Sequence, residues 1–188
     1  MPPPFPQSWS AEILERPPLI APATHHIYPQ SLTEDEGARE DATAGALILQ
    51  IKPAEGPSFL ATFARGFAEP TLPHGVWTCP HPDWLCAAAG GYVYLIETTR
   101  PTRWHQISYR PVVEIRPLDQ QKLLLFTSFR QLLAWGPKGI AWESPKLSDE
   151  GLRITNITAN ELHGLGWDLL TDKEIPFTVD LLTGQRIL

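Results

Sequence analysis

Ala134-Trp-Gly-Pro-Lys-Gly-Ile-Ala-Trp142 decides the fold class. Two short apolar runs flank Pro137 and Gly139. The proline presets φ for the first central position of a type I turn, and Gly139 takes the left-handed position of a G1 bulge. This is a β-hairpin. Ser148-Asp-Glu-Gly151 repeats the logic with a glycine at the bulge position, and Asp180-Leu-Leu-Thr-Gly184 places an Asx-type acceptor ahead of a glycine.

Outward from that hairpin the pattern is regular. Tyr92–Glu97, Gln106–Arg110, Val112–Ile115, Lys122–Phe126, Gln131–Trp135 and Gly139–Trp142 read as strands. Leu152–Thr155, Glu161–Gly164 and Phe177–Asp180 continue the series, and Ala46–Ile51 and Phe59–Phe63 precede it. Short strands spaced about 8–12 residues apart with turns between them indicate a sandwich, barrel or meander. The predicted fold is mainly β, an antiparallel meander of hairpins forming a sandwich or incomplete barrel. Twenty prolines in 188 residues agree with this, since proline interrupts helices.

Residues 1–43 read differently. Eight prolines and the acidic run Glu34–Asp41 predict a Pro-rich extended arm, with one or two helical turns over Ser10–Arg16 that end at Pro17-Pro18. Residues 44–188 are then one β-domain, with a Pro-, His- and Trp-rich loop over Glu69–Asp83.

Composition bounds the function. An apolar fraction of 43% supports a packed core, and a net charge of −6 argues against a general affinity for nucleic acid or anionic membranes. Arg100, Arg103, Arg110 and Arg116 are diluted by Glu97, Glu114 and Asp119, so they read as a solvated sheet face. No run approaches the ~20 apolar residues of a membrane span. Met1-Pro-Pro-Pro-Phe-Pro6 lacks the features of a secretory signal, so the expected location is the cytoplasm.

Leu123–Phe126, Ala134–Gly136, Gly139–Glu143, Leu162-His-Gly-Leu-Gly-Trp-Asp168 and Phe177–Leu181 with Thr183-Gly184 carry a resemblance. This half of the chain resembles a family of bacterial all-β proteins to which no activity is assigned. The resemblance implies a compact β-domain and carries over no functional residue.

Three groups of residues have chemistry to offer. His74, Cys79, His81 and Cys86 fall within thirteen residues and are the side-chain types zinc takes. Their spacing departs from that of structural zinc sites. A Cys79–Cys86 disulfide is a second reading, disfavoured in a reducing compartment, and unlinked cysteines with Cys86 in a core are the plainer one. Asp168, Asp172, Glu174 and Asp180 are carboxylates of the type that serve glycosidases or hard cations, but hairpin ends also favour Asp for its turn chemistry. His163 lies five residues ahead of Asp168, with two glycines and a tryptophan in between. Gly164-Leu-Gly166 lacks the rest of a dinucleotide loop. No Walker, G-x-S-x-G, H-E-x-x-H or C-x-x-C pattern occurs, and no cofactor is implied.

Two functional expectations follow. The first is a non-enzymatic binding or interaction module, resting on seven tryptophans and the missing catalytic signatures. The second is a small hydrolase or metal-dependent enzyme using His163, Asp168 and Asp172. The partner expected is a protein or a second copy of the chain, engaged through the N-terminal arm.

Overall fold

The computed structural model describes residues 3–18, 23–29 and 45–187. The chain divides into two compact units, Met1–Pro111 and Val112–Leu188. Among the described residues every regular element is a strand, and no sheet closes into a barrel. The mainly β class and the Pro137–Gly139 hairpin are as the sequence predicts, whereas Ser148–Gly151, read as a second turn of that kind, joins strands that belong to different sheets.

The first unit holds β1 (Trp9–Leu14), β2 (His25–Tyr28), β3 (Ala46–Pro53), β4 (Phe59–Ala64), β5 (His74–Thr78), β6 (Trp84–Ala89), β7 (Tyr92–Glu97) and β8 (Trp104–Gln106). One sheet has the order β1-β3-β4-β2, and the other follows the chain as β5-β6-β7-β8. Pairing is antiparallel except for β2 beside β4. The two sheets share one core. Leu47, Leu49 and Ile51 alternate along β3 toward Leu85, Ala87 and Ala89 of β6 and Tyr94 and Ile96 of β7. At its centre Tyr28 stacks on Phe63 at 5.0 Å between ring centroids, and Phe63 meets Tyr94 at 5.4 Å. Buried phenols need partners, and they have them: Tyr28 Oη donates to Pro101 O and Tyr94 Oη to Ala64 O.

The described residues of the expected arm are part of this unit. Ser10–Arg16 does not turn into a helix. Trp9–Leu14 is a strand in unbroken register with β3, and Trp9 is buried with its indole N–H on Trp84 O. An edge strand of this kind gains six ladder positions and a buried indole, which outweighs a marginal two-turn helix. Leu19, Ile20 and the acidic run lie outside the described residues.

Two more expectations are corrected. The loop read over Glu69–Asp83 contains β5, whose His74–Thr78 pairs with β6. The strand read over Gln106–Arg110 ends at Gln106. β6 was unread because Trp84-Leu-Cys-Ala-Ala-Ala89 is buried on both faces, so it shows no alternation.

The second unit holds β9 (Val112–Leu118), β10 (Leu123–Ser128), β11 (Leu132–Gly136), β12 (Gly139–Glu143), β13 (Leu152–Ile157), β14 (Glu161–Asp168) and β15 (Lys173–Asp180). Both sheets follow the chain, one as β9 to β12 and the other as β13 to β15. Arg186 adds a single bridge to Val179 beyond β15. The core between them is mostly leucine, with Leu123, Leu125 and Leu132 facing Leu162, Phe177 and Val179. Gly139 sits at φ +118° after Pro137-Lys138, as the hairpin requires.

Candidate functional site

A cavity of about 470 Å³ forms an open groove at one end of the second unit. Leu123, Ala141, Trp142, Leu181 and Leu182 form its apolar walls, and Gln121, Asn160 and Asp180 contribute polar groups. It is built from turns. The β9–β10 turn supplies Gln121, whose amide donates to Ala159 O at 2.8 Å in the β13–β14 turn. Asn160 O accepts from Leu181 N at 2.8 Å, and Trp142 Nε1 donates to Leu181 O at 2.7 Å. These three bonds tie together the strand ends that wall the groove, so its shape precedes any ligand.

Asp180 is the one charged residue lining it. Its Oδ1 accepts from the Thr183 hydroxyl, Thr183 N and Leu182 N. The hydroxyl and amide bonds of Thr183 hold its carboxyl below the usual carboxylate range. That makes Asp180 a fixed anion serving its own turn rather than a proton carrier. The lining contains no His, Cys, Ser or Lys, so no nucleophile–base pair faces the groove.

The same turn chemistry explains the candidate catalytic aspartates. Asp168-Leu-Leu-Thr-Asp172 matches Asp180-Leu-Leu-Thr-Gly184 at four of five positions. Asp168 Oδ2 accepts from Thr171 N and its hydroxyl, and Asp172 N donates to Asp168 O, as Gly184 N does to Asp180 O. Asp172 sits at φ +57° and Gly184 at φ +73°. Asp172 therefore occupies a glycine-like turn position, which aspartate tolerates better than most residues.

His163 lies elsewhere. It is opposite Thr178 on β14–β15, with Nδ1 3.1 Å from Thr178 Oγ1 and Nε2 3.4 Å from Glu161 Oε2. It stands five strand positions from Asp168, about 17 Å at strand rise, and the odd spacing puts the two on opposite faces. His163, Asp168 and Asp172 do not form a constellation. Glu174 is engaged by Arg153 across the sheet. The glycines around His163 are packing residues. A Cβ on Gly164 would lie 2.2 Å from Phe177 Cζ, and one on Gly166 would lie 2.2 Å from Leu147 O.

His74, Cys79, His81 and Cys86 are likewise dispersed in role. Cys79, just past the end of β5, and Cys86, on β6, are buried free thiols, and burial pushes both thiols up, which suppresses the thiolate that metal binding needs. His81 Nδ1 accepts from Asp83 N at 3.2 Å, and His74 is exposed. Among the described residues no group of three or more His, Cys, Asp or Glu side chains is placed to hold a metal ion.

The tryptophans are structural. Trp9, Trp84, Trp135 and Trp142 are buried, while Trp77, Trp104 and Trp167 are half-buried. None stands out as an exposed platform. The groove itself was missed in the sequence because strand ends far apart in the chain make its walls. The one local signal was the Asp180–Gly184 turn.

No protein-family model matches the chain, and no curated protein matches it. Among solved structures, the crystal structure of the N-terminal domain of Nup159 aligns over all of this chain and 52% of that chain, at 11% identity and a TM-score of 0.36. The chain spans about half the length of that domain, and a likeness of this size assigns neither fold nor activity. Among the described residues no helix is long and apolar enough to cross a membrane.

Proposed function

We propose that the chain is a non-enzymatic binding module whose second unit receives an apolar group in the groove beside Trp142. The observation that supports this is the groove's composition: leucine, alanine and tryptophan walls, polar groups largely committed to its own turns, and no nucleophile. Its volume falls within the range of roughly 300–1,000 Å³ common to ligand sites. Nearly fully exposed Leu182 at its lip adds apolar surface that folding leaves uncovered.

The test uses indole as a probe, followed by backbone amide shifts. Saturable shifts confined to Ala141, Ala159 and Leu182 are expected. Ala141→Trp, at an exposed position of β12, fills the groove and removes them. Indole that moves none of these amides, or moves them equally in Ala141→Trp, overturns the proposal.

A further inference from the structure

Sheets expose backbone donors and acceptors along their edges, and proteins usually blunt those edges with bulges, prolines or short strands. In the second unit every edge is blunted. Register shifts leave one extra residue in β9 (Val113), β12 (Ala141) and β13 (Thr155). β15 carries Pro176, and the Arg186 bridge covers its far end. In the first unit β2 and β8 are only four and three residues long. β5 contains Gly75 at φ +146°, and Phe5 N donates to Thr78 Oγ1 beside it.

β1 is the exception. Six residues pair with β3 without a shift, and Trp-Ser-Ala-Glu-Ile-Leu contains neither proline nor glycine. Ala54 N donates to Ser8 O, so even-numbered residues of β1 bond to β3 and the N–H and C=O groups of Trp9, Ala11 and Ile13 point away. Gln7 Nε2 takes one lone pair of Trp9 O. Among the described residues no backbone bond reaches Ala11 or Ile13 on that side. Ile13, on the strand face that carries Trp9 and Ala11, is left 55% exposed.

We infer that this edge pairs with β1 of a second copy of the chain, antiparallel about a twofold axis through Ala11. Strand chemistry selects both partner and register. Centring on Ala11 sets Ile13 of each copy against Trp9 of the other, which covers the exposed isoleucine by continuing the apolar face. It sets Ser10 against Glu12, a hydroxyl donor against a carboxylate acceptor. Centring on Glu12 would oppose two carboxylates directly, which destabilises a cross-strand pair. The ladder needs the second lone pair of Trp9 O, which a carbonyl has available. Each contact is reciprocal, as an isologous interface requires. An interface of one ladder is small, so the association is concentration-dependent.

Sedimentation equilibrium of the full chain at about 0.15 M salt is expected to show mass rising toward twofold with concentration. Ala11→Pro, which deletes an N–H facing away from β3, and Ile13→Lys should both stay at the single-chain mass, with unchanged circular dichroism. Under mild oxidation the double variant Ser10→Cys, Glu12→Cys should form a covalent dimer, because the two thiols meet across the axis. Glu12→Cys alone should not. A wild-type chain that stays at the single-chain mass, or an Ile13→Lys chain that associates like wild type, overturns the inference. Ready cross-linking of Glu12→Cys alone overturns the register.

Discussion

The two units share a plan, two sheets around one core, and carry it out with different materials. The first fills its centre with rings. Tyr28 stacks on Phe63, Phe63 meets Tyr94 at a tilt, Trp104 meets Tyr28 edge-on, and two buried phenols bond to backbone carbonyls. The second fills its centre with leucines around Phe177, and glycines in β14 bring neighbouring groups into contact. Their sheet orders differ in the same sense. The second unit is assembled from consecutive hairpins, whereas the first threads β1 and β2 onto opposite edges of the β3–β4 pair. Local folding produces a unit with turn signatures and blunted edges. Non-local folding produces one with a richer aromatic core and an open edge at β1.

The sharpest test of this contrast is Phe63→Ala. It removes the middle ring of the aromatic series, and the expected cost is about 3–5 kcal/mol in denaturant unfolding. A loss below about 1 kcal/mol would show that the rings do not organise the first unit. Next comes Gly164→Ala in the second unit. The added methyl must displace Phe177, and overpacking of this kind costs about 1–3 kcal/mol. An unchanged midpoint would mean that β14 needs no close approach at that point.

A smaller effect separates the units by pH. Glu97, with 7% of its side chain exposed, accepts from Arg100 and Arg103 in the first unit. Burial alone would raise its carboxyl, but the two arginine hydrogen bonds outweigh burial and hold it below its ordinary 4.5. A lowered folded value contributes stability above the unfolded one and loses it as pH falls through the folded one. Stability from Glu97 should therefore be complete above about pH 5 and decline below it. Because both arginines are more than half exposed, the contribution is about 1 kcal/mol. Glu97→Gln should flatten that part of the stability–pH curve, and a slope unchanged by the substitution would remove the ion pair from the account.

The smallest expected change is Asp172→Gly. Converting Asp168–Asp172 into the sequence of its counterpart at 180–184 should alter stability by no more than about 0.5 kcal/mol. A larger loss would show that the Asp172 carboxylate does something its turn does not explain.

Legibility followed the same division. In the second unit the strands, the Pro137–Gly139 hairpin and the Asp180 turn were readable because each depends on residues close in sequence. The candidate carboxylates there were readable as residues but not as a site. Asp168 and Asp172 had a local purpose, and the strand separating His163 from them is too long for a common centre. In the first unit β5 and β6 gave no alternation, since proline flanks one and both faces of the other are buried. β1 looked like an arm because its partner, β3, begins more than thirty residues downstream.

By itself, then, the sequence determined the mainly β class, the hairpins and the residues that terminate them, because backbone preference and turn chemistry act over a few positions. Tertiary structure alone decided that the proline-rich start forms a core-bearing edge strand. It also decided that the tryptophans are mostly packed away and that a groove opens beside Trp142. Those outcomes depend on which distant strands meet, and the free energy that selects among such meetings comes from surfaces that exist only once the sheets are assembled.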